Sequence, residues 1–174
     1  MRVWTSFSKV SIANFGFAAI QVIIKDMRLG FTEALSAALV HADEEARRHG
    51  QEFVGTEHLL LGILTAKTGE AFRALQAETE IEQLLPHLDR ALPKSSKPAR
   101  VTGRLPLSPK AQRIVNTAAS EAQAAAQTAV STRFLLLALL DEAESTVGKI
   151  IADSGGDLDE LRSLLSRPNG SHEE

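Results

Sequence analysis

The chain has 174 residues, 44% hydrophobic and 24% charged, which is enough to bury the core of one domain or two small ones. Its formal net charge of -3 excludes a general attraction to nucleic acid or anionic membrane. The absence of cysteine excludes disulfides, thiolate nucleophiles and cysteine-type zinc sites, and it fits a reducing cytoplasm.

The first thirty residues differ from the rest of the chain. Arg2 and Lys9 precede a mostly apolar stretch at positions 10–24, which superficially resembles a secretory signal. Polar residues interrupt this stretch, it is shorter than the roughly 20 residues that span a membrane, and no small-x-small cleavage site follows it. We therefore interpret residues 1–30 as an N-terminal extension, either docked on the body or poorly ordered, and expect no membrane association.

Most of the remaining chain is an internal repeat. Sliding the sequence so that Phe31-Thr32 meets Leu107-Ser108 also aligns several later segments without a gap. These segments are Glu45-Ala46 with Glu121-Ala122, Thr56 with Thr132, and Leu59 to Leu61 with Leu135 to Leu137. Because a repeat fixes architecture more firmly than local propensity does, we divide the chain into repeat 1 (31–92), a linker (93–106), repeat 2 (107–166) and a flexible tail (167–174).

Each repeat opens with an amphipathic helix, since apolar residues recur there at intervals of three and four. In repeat 1 these are Leu35, Ala38, Leu39, Ala42 and Ala46, and in repeat 2 they are Ala111, Ile114, Val115, Ala118 and Ala122. Thr32 and Ser108 stand just before the two helices and are predicted to cap them. Pro109 occupies the first turn of the second of these helices, where its missing N–H does no harm.

Three further helices are predicted in each repeat. Thr56 and Thr132 are expected to cap a more buried second helix, and a third, short helix follows it. A capping box opens the fourth helix at Thr79 in repeat 1 and at Asp157 in repeat 2. The predicted fold class is therefore all-α, with two pseudo-symmetric four-helix repeats, about eight helices in all, packed as one bundle.

The linker has the sequence "PKSSKPARVTGRLP", which contains three prolines, four basic residues and no acid. It shows no helical or strand periodicity. We predict a solvated connector between the repeats, although its positive charge could also contact an acidic partner or a phosphate.

The segment "EEARRHGQEFVGTEHLLLGIL" resembles the repeat of the Clp N-terminal domain, the amino-terminal module of ClpA- and ClpC-type AAA+ unfoldases. The resemblance covers about Phe31 to Leu165 in two copies and implies a double four-helix fold. It also implies no catalytic residues and no cofactor, and a role in receiving substrates or adaptors. The 174 residues contain no G-x-x-x-x-G-K-[ST] phosphate loop, so we interpret the chain as a free-standing N-domain protein. Its expected partners are a Clp unfoldase or protease, adaptor proteins and tagged substrates.

The resemblance also implies a ligand pocket, because ClpC-like members bind phosphoarginine through the threonine before the first helix and the glutamate of GTEH. These positions correspond to Thr32 and Glu57 in repeat 1. A helix N-terminus with a hydroxyl can hold a phosphate, and a carboxylate can pair with a guanidinium. Repeat 2 has Ser108 and Arg133 at the matching positions, and a cation there would repel a guanidinium. We therefore expect at most one functional pocket.

Two other functions stay open at this stage. The chain could sequester peptides or antibiotics without delivering clients to a protease, since one fold hosts many functions. A hydrolase using Glu57 and His58 is a remote alternative, because adjacent helix residues point in different directions. His58 is expected to be a hydrogen-bonded buried side chain, since Phe134 replaces it in repeat 2. No metal site is expected.

Overall fold

The structure is a computed structural model that describes residues 29–97, 101–142 and 144–167. Within these residues the chain forms eight helices and two short strands, and the predicted all-α class is confirmed. In chain order the elements are β1 Gly30–Phe31, α1 Glu33–Arg48, α2 Thr56–Ala66, α3 Glu70–Glu78, α4 Ile81–Ala91, α5 Pro109–Ala124, β2 Ala129–Val130, α6 Thr132–Asp141, α7 Thr146–Asp153 and α8 Leu158–Ser166. Almost all of the proposed N-terminal extension and all of the tail after residue 167 lie outside the described residues. The segment boundaries themselves stay predictions.

The first helix of each repeat is capped as predicted. Thr32 Oγ1 accepts the N–H of Leu35 at 3.2 Å, and Ser108 Oγ accepts the N–H of Ala111 at 3.1 Å. Each hydroxyl thereby satisfies one of the donors that a helix start leaves unpaired.

The second helices begin differently from the prediction. Thr56 and Thr132 are the first helical residues, and Gly55 and Ser131 precede them as caps. The threonine hydroxyls are engaged elsewhere: Thr56 Oγ1 donates to a Glu57 carboxylate oxygen at 3.0 Å, and Thr132 Oγ1 accepts a backbone N–H from α3. The expectation that these two threonines act as caps is therefore wrong.

The fourth helices follow the prediction in repeat 2 only, and there as a simple cap at Asp157, since the described residues show no Glu160 side-chain bond back to the Asp157 N–H. Asp157 Oδ1 accepts the N–H groups of Asp159 and Glu160 at 2.9 and 3.1 Å, so it caps α8. In repeat 1, α4 is preceded by Glu80 without a side-chain cap, and the Thr79 hydroxyl donates to the carbonyl of Ser154. The capping box predicted at Thr79 is wrong because this hydroxyl bonds to the other repeat.

Backbone pairing links the two repeats crosswise. The strands β1 and β2 run parallel, with Phe31 opposite Val130, and the N–H of Thr32 donates to the Val130 carbonyl at 3.0 Å. A second parallel bridge joins Val54 to Leu107. The start of α1 therefore lies beside the start of α6, and the start of α5 lies beside the start of α2.

The core is continuous across both repeats. The buried second helices supply much of it, through Leu59, Leu60 and Ile63 of α2 and Leu135, Leu136 and Leu139 of α6. Gly62 allows α2 to approach α1, because a Cβ at this position would lie 2.1 Å from the carbonyl oxygen of Ala38.

Part of the linker packs against α1. Leu105 is only 1% exposed, and its N–H donates to Asp43 Oδ1 at 2.6 Å. Arg47 donates to the carbonyl of Val101 at 3.0 Å and to that of Gly103, and its Nε contacts Asp43 at 3.1 Å. The expectation of a solvated connector is therefore wrong for Leu105, whereas Thr102 and Gly103 are exposed.

Across the parts of the chain that the structure describes, no helix has both the length and the apolar character needed to cross a membrane.

Candidate functional site

The crossed backbone pairing decides which predicted site residues come together. The Val54 N–H donates to the Pro106 carbonyl and the Ser108 N–H donates to the Val54 carbonyl, both at 2.9 Å, which sets Ser108 opposite Gly55. Ser108 of repeat 2 thus lies opposite Gly55, the residue before α2, and Glu57 of repeat 1 follows Gly55 by two positions. Thr32, which the sequence groups with Glu57, is instead hydrogen-bonded to Val130, near Arg133 along the chain. We call Gly55, Glu57 and Ser108 the crossed site.

The Glu57 carboxylate folds back over the start of its own helix. Its Oε2 accepts the Thr56 hydroxyl at 3.0 Å and would lie 3.2 Å from a Cβ placed on Gly55. The side chain is half-buried. Among the described residues no lysine or arginine forms an ion pair with it, so the carboxylate can accept a cationic group from a ligand.

The other half of the crossed site consists of helix-start donors. The helices α2 and α5 begin on adjacent backbone segments, at Thr56 and Pro109. A helix start carries unpaired N–H groups and a partial positive charge, so it attracts anions. The Ser108 hydroxyl accepts one N–H and keeps its own hydrogen as a donor. The crossed site therefore combines anion-binding donors with an acid that can hold a cation.

Arg133 has a structural environment. Its side chain is only 8% exposed, its Nη1 donates to the carbonyl of Arg167 at 2.9 Å, and its guanidinium lies 4.5 Å from the centroid of the Phe134 ring. Its Nε finds no hydrogen-bond partner within the described residues. The guanidinium thus ties α6 to the end of α8. The structure does not join Arg133 with Ser108 in one degenerate site, because Ser108 belongs to the other pair of helix starts.

On the side of the molecule that carries Thr32, the structure places an acidic residue, Glu70, that was not predicted from the sequence. Glu70 Oε2 accepts the Ser131 hydroxyl at 3.0 Å, and Thr132 Oγ1 accepts the N–H of Ala71 at 3.2 Å. The start of α3 is thus capped by repeat 2. Since these bonds join residues about sixty positions apart, only the glycine before Glu70 gave a local signal that a helix begins there.

His58 is buried and serves the backbone. The imidazole is 2% exposed, and its Nδ1 accepts the N–H of Gly55 at 3.0 Å, which fixes the neutral tautomer with the proton on Nε2. Nε2 has no partner in the described part of the chain, so the expected hydrogen bonding is only half present. Burial lowers the pKa of His58 to about 4, with Glu57 opposing that shift.

This environment does not suit the hydrolase alternative. A general base needs an accessible nitrogen and a pKa near the working pH, whereas His58 offers a buried Nε2 with its proton in place and a low pKa. The described residues also contain no group of three or more histidine and acidic side chains that could hold a metal ion.

The fold is that of a duplicated, all-helical repeat domain whose candidate binding groups lie at helix starts. The chain belongs to the Clp repeat (R) N-terminal domain family, which matches residues 30–154 and 107–171.

Full-length relatives carry this domain as a small part of a longer chain. Over 151 residues the protein is 34% identical to the ATP-dependent Clp protease ATP-binding subunit ClpA homolog of Cyanidium caldarium, and over 152 residues it is 30% identical to chaperone protein ClpC1, chloroplastic, of Arabidopsis thaliana. These matches cover 86% and 87% of the chain, but the chain spans only 17% and 16% of the relatives' length.

Two solved structures support the fold. The N-terminal domain of Hsp104 from Candida albicans superimposes with a TM-score of 0.67 at 17% identity, covering 78% of this chain and 89% of that domain. The N-terminal domain of the chaperone ClpD from Arabidopsis thaliana gives a TM-score of 0.62 at 19% identity, covering 78% and 91%. Identities this low establish a shared fold alone.

Proposed function

We propose that this protein is a non-catalytic Clp N-domain-like protein that binds substrates or adaptors and so modulates proteolysis by a Clp AAA+ unfoldase. Its proposed partners are the Clp ring, adaptor proteins and tagged substrates, in the cytoplasm. The observation that supports the proposal is the pairing of Val54 with Leu107, which brings the start of α2, where Glu57 lies, beside the start of α5, where Ser108 lies, in a domain of this family.

The proposed ligand class is phosphoarginine on a client protein. The phosphate would accept hydrogen bonds from the N–H groups in the first turn of α2 and from the Ser108 hydroxyl, while the guanidinium would pair with Glu57. The family resemblance implied this role for Thr32 with Glu57. The backbone pairing favours Ser108 in place of Thr32, so the proposed pocket takes one residue from each repeat.

The pocket is tested by titrating a phosphoarginine peptide, with the unmodified arginine peptide as control. We expect Glu57→Ala to weaken binding about tenfold to a hundredfold, since a hydrogen bond to a charged group contributes about 1.5–3 kcal/mol. Equal binding by wild type and Glu57→Ala would remove this carboxylate from the site.

A matched pair of variants tests the crossed arrangement. Ser108→Ala and Thr32→Ala each remove one helix cap of the same kind, so each should cost about 1 kcal/mol of stability. Only Ser108→Ala should weaken phosphoarginine binding. The opposite result would restore the pairing of Thr32 with Glu57.

Sequestration of peptides or antibiotics remains the alternative function, and it would use the same surface. A degradation assay with a Clp protease and a phosphoarginine-tagged client separates the two. Delivery to the protease should raise the degradation rate, whereas sequestration should lower it, and Glu57→Ala should abolish either change.

A further inference from the structure

Phe53 is a large apolar side chain on the surface next to the crossed site. It is 54% exposed, and Leu85 on α4, at 41%, is the other large exposed hydrophobic residue in the described part of the chain. Phe53 lies two residues before Gly55.

The Val54–Leu107 bridge shows which way Phe53 faces. Val54 is fully buried in the core, whereas Phe53, in the bend before it, is 54% exposed and Gly55, after it, is partly exposed. Phe53 and Gly55 therefore lie on the opposite, outer side. The parallel register sets Phe53 opposite Pro106 and Gly55 opposite Ser108. The exposed pair Phe53 and Pro106 thus shares one face with the crossed site, roughly 7 Å along the strand direction.

The charges around Phe53 suit a cationic partner. The exposed acid Glu52 precedes it, and Glu57 follows it at the start of α2. An acid at Glu57, at the start of α2 that follows an exposed aromatic ring, favours a peptide segment that combines a guanidinium with an apolar side chain. An exposed ring also gains from being covered, because apolar surface is removed from water.

We propose that Phe53 and Pro106 form an apolar subsite for a client side chain near the arginine held at Glu57. The domain then selects arginine-bearing segments that carry an aliphatic or aromatic residue two positions from the arginine, since residues two apart in an extended peptide lie on the same face. This inference rests on the proposed function, because it assigns a second contact to the same ligand.

The subsite is tested with two phosphoarginine peptides that differ only in carrying leucine or serine at both positions two residues from the modified arginine. Wild type should bind the leucine peptide about fivefold to tenfold more tightly, which is the effect expected for burying one apolar side chain only partly. Phe53→Ala should lose this preference and keep its affinity for the serine peptide. Leu85→Ala is the matched control, since it removes an exposed apolar residue from α4, and it should keep the preference.

The outcomes separate the subsite from the pocket. Binding of both peptides with equal affinity by wild type, or an unchanged preference in Phe53→Ala, overturns the subsite and leaves the pocket intact. Binding of neither peptide overturns both proposals. Because Phe53 is exposed, Phe53→Ala should unfold in urea at the same midpoint as wild type, so a loss of preference reports on the ligand contact.

Discussion

The imidazole of His58 shows how one side chain can hold a helix start and also limit stability in acid. It accepts the Gly55 N–H only while its Nδ1 is unprotonated, and burial keeps its pKa near 4. The sequence marked this histidine as a packed residue because Phe134 replaces it in repeat 2. The bond to Gly55 was not predicted, although the two residues are only three positions apart.

This pKa predicts a loss of stability in acid. In the unfolded chain the pKa of histidine is about 6.5, so the unfolded state binds more protons than the folded state between pH 6.5 and pH 4. The free energy of unfolding should therefore fall as the pH is lowered through this window, by up to about 3 kcal/mol from this residue. Urea unfolding at several pH values measures the fall.

The control is His58→Phe, which copies repeat 2 and cannot titrate at this position. Other groups contribute equally to both proteins, so the difference in slope isolates His58. Parallel curves of unfolding free energy against pH would show that the imidazole does not titrate in this way.

At the scale of elements, the eight helices could be predicted because their signals are local. Apolar spacing and the caps Thr32, Ser108 and Asp157 all lie within a few residues of the helices they define. Thr79 does not cap α4, because its hydroxyl donates a hydrogen bond to the carbonyl of Ser154, which lies in the other repeat. The crossed pairing and the role of Thr132 were missed for the same reason, since sequence patterns do not encode contacts between distant residues.

The junction between α3 and α6 gives a prediction at this scale. Gly69 has φ +91, and a Cβ there would lie 2.5 Å from Thr132 Oγ1 and 3.0 Å from the Ala34 Cβ. Gly69→Ala should therefore destabilise the protein by about 2–4 kcal/mol, combining backbone strain with displacement of the buried cap of α3. The midpoint of chemical unfolding measures this loss.

Gly103→Ala separates the two contributions. Gly103 has a similar φ of +80, but nothing lies within 4 Å of an added Cβ. Gly103→Ala should therefore lower the free energy of unfolding by about 1 kcal/mol, from backbone strain alone. Equal losses in the two variants would mean that the contact with Thr132 contributes nothing.

For the whole molecule, the halves should not fold separately. Residues 29–97 alone would lose the Val130 carbonyl that accepts the Thr32 N–H, the Thr132 hydroxyl that accepts the Ala71 N–H, and the core partners of α2. A fragment of this size has little core to offset such losses. We expect it to show weak helicity by circular dichroism and no cooperative urea transition, while the full chain unfolds in one transition. A cooperative fragment would contradict this expectation.

The backbone pairing between the two repeats also determines which surface a substitution in one repeat affects. A substitution at the start of α2 or α6 lies beside the first helix of the other repeat and its hydroxyl cap. Arg133, at the start of α6, is therefore on the Thr32 side of the molecule and away from the pair of helix starts that carries Ser108 and Glu57. The pair of helix starts that joins Ser108 to α2 therefore combines a hydroxyl with the acid Glu57, and each repeat supplies one of these two residues.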